Sequence, residues 1–248
     1  MSPRSDGAAV EPRASLVDEA VYRPVRSGNA LEDTVARLMQ TIRLGVVAPG
    51  QALPSERELA LRFSVSRDTV REAIRELADT GYLAPRRGRY GGTFVSDPLP
   101  VPSGSLAAPP SAAELDDVLG LRGILEVGAA RAAAARSLDA AERAALWSRL
   151  GEAAASGPAD YRRLDSRLHL TIGEVVGVPS LVTLLADNRS RVNELLDSFP
   201  LLPRNIEHSN RQHEAIVMAI LAGDVEGAAG AMREHLDGSG ALLRGFLL

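Results

Sequence analysis

Two helix starts about a dozen residues apart, within SERELALRFSVSRDTVREAIREL from Ser55 to Leu77, restrict this chain more than any other stretch. Ser55 is placed to cap a first helix, and Glu58, three positions on, completes an S-x-x-E capping box. Leu59, Ala60 and Phe63 form the apolar side of that helix, and Val65 closes the turn. Ser66 caps a second helix whose apolar face is Val70, Ala73, Ile74 and Leu77, at helical spacing. A short helix, a tight turn and a second amphipathic helix make a helix-turn-helix. Arg67, Asp68, Thr69, Arg71 and Arg75 fall on the outward side of the second helix. Guanidinium and hydroxyl groups there suit phosphates and major-groove base edges. Taken alone, the same residues also fit a solvated helical hairpin.

The flanks decide between these readings. Residues 29–45 predict a helix with Leu31, Val35, Leu38, Met39 and Ile42 on one side, Asn29 as its cap and Gly45 as its stop. After the second helix, Tyr82 to Pro85 and Thr93 to Val95 read as two short strands. Between them lie Arg86, Arg87, Gly88, Arg89, Tyr90, Gly91 and Gly92, a glycine-permitted hairpin tip with a cationic edge. A helix-turn-helix followed by such a hairpin is a winged helix, and that order favours nucleic acid.

Composition narrows the class. The net charge is −4, so no uniformly basic coat exists, but a local basic surface is all that phosphate binding requires. All 28 cationic Lys or Arg positions are arginine, so every such cation is a planar fork donor. Cysteine is absent, which removes disulfides, thiolate nucleophiles and cysteine-ligated metals. No run approaches the roughly 18 apolar residues of a membrane span, and no apolar secretion signal opens the chain, so the expected location is the cytoplasm.

The fold class expected is mainly α: an N-terminal winged helix-turn-helix and a C-terminal all-α antiparallel bundle. Residues 1–28, rich in Pro, Ser, Arg and Gly, are expected to be a disordered arm. The winged helix takes 29–97, and a proline-rich linker takes 98–112. Residues 113–248 are expected to form the all-α bundle. Helices are predicted at 112–136, 139–156, 159–176, 180–198, 204–222 and 224–246.

Three of the four histidines fall at telling positions. Asp165 and His169 share one helix face at four-residue spacing. His213 and His235 lie about ten residues either side of the Gly223-Asp224 turn, which in an antiparallel hairpin puts both at one level, roughly 15 Å from the turn. A carboxylate and three imidazoles that converge suit a divalent metal, Zn²⁺ first, with Ni²⁺, Mn²⁺ and Fe²⁺ as alternatives. Structural histidines and a simple Asp–His salt bridge fit the same spacing. His208, near a helix start, is expected to face solvent.

Residues 31 to 95, with ALPSERELALRFSVSRDTVREAIRELADTGYLAPRRGRYGGTFV, resemble the winged-helix domain of GntR-family bacterial transcription regulators. The resemblance implies operator contacts from Arg57, Arg67, Arg71 and the wing glycine Gly88, with Thr69 near a base edge or phosphate. The wing reads GRYGG where the shorter GRGG is often seen, so Tyr90 is the extra residue, and Arg89 beside Gly88 is a further candidate contact. LRGILEVGAARAAA, DSRLHLTI and RQHEAIVMAILAGDVEGAAGAMREHL are similar to the FCD ligand-binding domain of the FadR-like branch. That similarity implies a divalent cation on Asp165, His169, His213 and His235, at the base of a cavity for a small carboxylate effector. It also implies Arg122 facing the effector, with Asn188 or Arg189 lining the pocket. The metal set points away from an acyl-CoA effector.

The function expected is therefore a homodimeric, non-enzymatic regulator whose affinity for a pseudo-palindromic operator in double-stranded DNA answers a small carboxylate. The alternatives are a metal-dependent hydrolase or lyase and a metal sensor. The hydrolase leaves the winged helix unexplained and has no general base beside the cluster, since Glu214 points elsewhere on its helix.

Overall fold

In the computed structural model, described residues are 15–25, 30–86, 88, 91–100, 110–197 and 203–247. Among them are ten helices and one two-stranded sheet. Asn29 and most of the proline-rich linker lie outside the described residues.

Residues 15–25 correct the expectation of a disordered arm. Helix α1, Leu16–Val21, starts where the Ser15 hydroxyl accepts from the Asp18 amide. Val17, Ala20 and Val21 are buried, and α1 packs against two helices of the C-terminal half. Periodicity could not reveal it, because a six-residue helix has too few apolar positions to register a pattern. Tertiary burial supplies its stability instead.

Helix α2, Ala30–Arg43, is followed by α3, Glu56–Phe63, and α4, Arg67–Asp79. The Ser55 side chain accepts from the Glu58 amide and that of Ser66 from the Thr69 amide, so both helix starts form at the serines. Only half of the expected capping box is present at Ser55: the Glu58 carboxylate turns to Arg62, 2.6 Å away. Strands β1, Leu83–Arg86, and β2, Gly92–Val95, pair antiparallel from Leu83↔Val95 to Arg86↔Gly92, and Ala52 bridges Phe94. Leu38, Ile42, Leu59, Phe63, Val70, Ile74, Leu77 and Val95 close one apolar core under this winged helix.

The second unit contains α5 (Ala112–Ala134), α6 (Ala140–Ala154), α7 (Pro158–Glu174), α8 (Pro179–Leu196), α9 (Pro203–Ala222) and α10 (Val225–Leu247). Capping boxes at Ser111/Glu114 and Asp139/Glu142 start α5 and α6, and proline occupies the first turn of α7 and α8. Helix α5 runs through the middle and touches α7, α8, α9 and α10, which brings residues from all five to one level. No helix among the described residues is long and apolar enough to cross a membrane.

The two units meet through polar and steric contacts. Asp187 of α8 accepts from Arg23, from Arg37 at 3.1 Å and from Gln40 at 3.2 Å, and Arg43 stands 3.6 Å from Glu194. Gly45 ends α2 at φ +66°, and a Cβ there would lie 2.8 Å from the Arg163 Cγ and 2.9 Å from the Arg167 Cγ of α7. Glycine is therefore demanded both by the left-handed turn and by the close approach of the second unit.

Candidate metal centre and nucleic-acid interface

Helix α7 presents Asp165 and His169 one turn apart, α9 presents His213, and α10 presents His235. All four are buried, and one donor atom from each lies within 4.8 Å of the others. His213 Nε2 is 3.2 Å from Asp165 Oδ1, and His169 Nε2 is 3.7 Å from the same oxygen. The Nε2 atoms of His169 and His213 are only 3.4 Å apart. The ring of His235 completes the set, 4.5 Å from that of His213 and 5.2 Å from that of His169 between centroids. Donors about 2.1 Å from a shared ion are mutually spaced by roughly 3–4 Å, so this set needs little contraction to hold a cation. His208 is exposed.

The protonation chemistry matches. Burial pushes His169 down and His235 well below the usual imidazole value, which leaves neutral nitrogen donors. Burial works against ionised Asp165, but Arg189, His169 and His213 outweigh it and hold the carboxyl well below its usual range. The buried His213 Nδ1 has no hydrogen-bond partner among the described residues. Ring nitrogens crowded this closely around a carboxylate fit a divalent cation better than they fit one another.

One residue of this site was not singled out in the sequence. Glu126 of α5 is buried beside the cluster, with Oε2 2.5 Å from His169 Nδ1 and Oε1 accepting from Arg122 Nε at 3.1 Å. Arg189 Nη1 stands 3.5 Å from the same Oε1, and its Nη2 donates to Asp165. The only sequence signal was the four-residue spacing of Arg122 and Glu126, which surface salt bridges share. Glu126 is the carboxylate missing from the expectation that no base adjoins the set, but three partners already hold it. Glu214 is exposed.

Of the three residues assigned to an effector, Arg122 is buried, donates to Ser239 Oγ at 2.7 Å, and lines a cavity of about 350 Å³ between α5 and α10. Arg189 is fully buried against Asp165 and Glu126. Asn188 donates to the Val118 carbonyl at 3.1 Å, which ties α8 to α5, while its buried Oδ1 has no hydrogen-bond partner among the described residues.

On the winged helix, Arg57 and Arg67 are exposed and carry no ion pair among the described residues. Thr69 Oγ1 lies 2.8 Å from Ser66 Oγ, at the first turn of α4. Arg71 is exposed but pairs with Glu56 at 3.0 Å and Asp68 at 2.9 Å, so phosphate must displace these partners. Gly88 adopts φ +109° in the wing turn with open space around it, so the backbone angle is what requires glycine. Arg86 sits 4.3 Å over the Phe94 ring, on the wing. Arg89 and Tyr90 lie outside the described residues.

Residues 31–95 match the model of bacterial regulatory proteins of the gntR family, and residues 117–238 match the FCD domain. A regulatory protein of the L-lactate dehydrogenase operon in Escherichia coli K12 is 29% identical over 228 residues, covering 87% of this chain and 86% of the relative. The HTH-type transcriptional repressor NanR of Cronobacter sakazakii is 29% identical over 228 residues, covering 87% of this chain and 85% of that one. The solved structure of Escherichia coli McbR/YncC shares the fold at TM-score 0.56 and 20% identity, over 90% of this chain and 99% of that one. The chain belongs to the GntR family of bacterial regulatory proteins, as a transcription regulator whose C-terminal unit is an FCD domain.

Proposed function

We propose that this regulator binds its operator as a homodimer and that a small carboxylate, recognised by a divalent metal and by Arg122, controls that binding. Asp165, His169, His213 and His235 hold the metal, with Zn²⁺ the first choice for three imidazoles and one carboxylate. The observation that carries the effector class is the charge count at the cluster. Buried Asp165 and Glu126 offset buried Arg122 and Arg189, two charges against two. A divalent cation then leaves an excess of positive charge away from water, which an anion relieves. Arg122 both lines the 350 Å³ cavity and touches Glu126, while none of the four candidate metal ligands lines that cavity. Hydroxy acids fit this pairing of metal and guanidinium, and a relative named for an L-lactate dehydrogenase operon agrees with that class.

Exposed Leu121 and Ile124 on α5 and Leu184 on α8 support a dimer built on the FCD unit. Two copies of α4 would then read half-sites of a pseudo-palindrome, with Arg57, Arg67, Arg71, Thr69 and the wing at Gly88 and Arg89 as contacts. The test is a thermal-shift screen against small carboxylic acids, before and after stripping with EDTA. A ligand at about 100 times its Kd adds roughly 2.7 kcal/mol. A shift for one acid class, lost with the metal, is expected. Equal shifts in the stripped protein would remove the metal from effector binding.

A further inference from the structure

We propose that Glu126 is a positioning residue for the metal: it fixes the ring of His169 so that Nε2 faces the cation. This rests on the metal reading above. The observation is a division of labour between the two oxygens of one buried carboxylate. Oε1 is taken by Arg122 Nε at 3.1 Å, with Arg189 Nη1 at 3.5 Å. Oε2 stands 2.5 Å from His169 Nδ1, a close approach without hydrogen-bond alignment. On the far side of the same ring, Nε2 lies 3.4 Å from His213 Nε2 and 3.7 Å from Asp165 Oδ1. The ring is thus held between an acceptor and the donor set. A carboxylate at Nδ1 keeps the proton on that nitrogen, leaves the Nε2 lone pair free, and makes it a stronger base.

The three histidines are not equivalent in this respect. His235 Nδ1 faces a neutral partner, Gln212 Oε1, at 3.2 Å, and among the described residues neither His213 Nδ1 nor His169 Nδ1 makes a hydrogen bond, so the distinction of His169 is the carboxylate oxygen 2.5 Å away. His169 alone among them faces a carboxylate on the side away from the cluster. Glu126 in turn is oriented by two arginines from different helices, Arg122 on α5 and Arg189 on α8. Arg189 also donates to Asp165, so one guanidinium spans a metal ligand and the residue that positions another.

The experiment is a Zn²⁺ titration of the stripped full-length protein against a competing chromophoric chelator at pH 7.5, on wild type, Glu126→Gln and Gln212→Ala. Loss of an outer carboxylate partner weakens metal binding about 10–100-fold. Glu126→Gln is expected to fall in that range and Gln212→Ala to lose less. The melting temperature of each stripped variant separates the alternatives: a merely structural role lowers it and leaves the zinc affinity unchanged, which overturns the proposal. Wild type that binds no zinc overturns the metal reading and this proposal together. Wild type and Glu126→Gln with equal affinity overturn this proposal alone. Should Glu126→Gln fail to fold, imidazole ¹⁵N shifts of zinc-loaded wild type decide the matter. A proton on His169 Nδ1 with zinc on Nε2 supports the assignment, and zinc on Nδ1 overturns it.

Discussion

Asp187 and Arg189 stand two residues apart on α8 and serve different halves of the protein. Asp187 accepts from Arg37 and Gln40 of the winged helix, at 3.1 and 3.2 Å. Arg189, fully buried, holds Asp165 and Glu126 in the FCD unit. Helix α8 thus carries both the partner of Asp165 and the acceptor on which α2 rests. The element that both sites can bias is one helix, which is the physical requirement for coupling them.

Asp187→Ala is expected to loosen that coupling without touching the metal. Amide exchange in α1 and α2 should rise, while Zn²⁺ affinity stays within about twofold of wild type, since sites without shared partners behave almost independently. Burial works against ionised Asp187, but hydrogen bonds from Arg23 and Gln40 and the charge of Arg23 hold its carboxyl below the usual value. Its folded pKa is depressed, so its contribution is present above the ordinary carboxylate range and is lost as pH falls through the folded value. Exchange protection of α1 that is insensitive to both the substitution and acid would contradict this role.

Arg67→Ala should weaken operator binding and lower the salt slope of log K by about 1 if the group meets a phosphate. A base contact would instead relax preference at one operator position by about 1–3 kcal/mol. Electrophoretic shifts at several salt concentrations distinguish the two. Glu56→Gln is expected to act in the opposite direction, because it frees Arg71 from a partner at 3.0 Å. Unaltered operator affinity in Arg67→Ala would remove α4 as the reading helix.

On the proposed metal reading, treatment with EDTA should lower the melting temperature. Without a cation, the Nε2 atoms of His169 and His213, 3.4 Å apart, have only each other and Asp165 Oδ1 to face in a buried cluster. Occupancy near 100 times Kd corresponds to about 2.7 kcal/mol, which for a chain of this size is roughly 5–10 °C. His213→Ala should abolish the EDTA-sensitive part of that shift. A calorimetric scan of wild type that does not change with EDTA would mean that the cluster is held by protein contacts alone.

Gly45→Ala tests the seam between the two units. Backbone strain at φ +66° costs about 1–3 kcal/mol, and the new methyl meets Arg163 and Arg167 at under 3 Å. Gly50→Ala is the control, since Gly50 has φ +78° but no neighbour nearer than 3.8 Å. Gly45→Ala should be the more destabilising and should expose α1 to protease. Equal losses in chemical denaturation would show that the approach of α7 contributes nothing.

Much of this molecule is local, and local features are legible in a sequence. Ser55, Ser66, Ser111 and Asp139 start helices because a short side-chain oxygen satisfies amides only a few residues away. The apolar positions of α4 are set by a period that holds whatever surrounds it. Asp165 and His169 share a face for the same reason, and the two last helices bring His213 and His235 level because the turn between them is short.

Contacts across the fold follow no such period. Glu126 and Asp187 are acidic residues like many others until α5 and α8 are packed, and only then does one face His169 and the other α2. Helix α1 is too short to declare itself and exists because the bundle offers a surface for Val17 and Val21. The sequence by itself determined the helices, their caps and the two recognisable units. The tertiary structure decided which buried charges meet and which glycine must have no side chain, because burial and partner identity are set by residues far away in the chain.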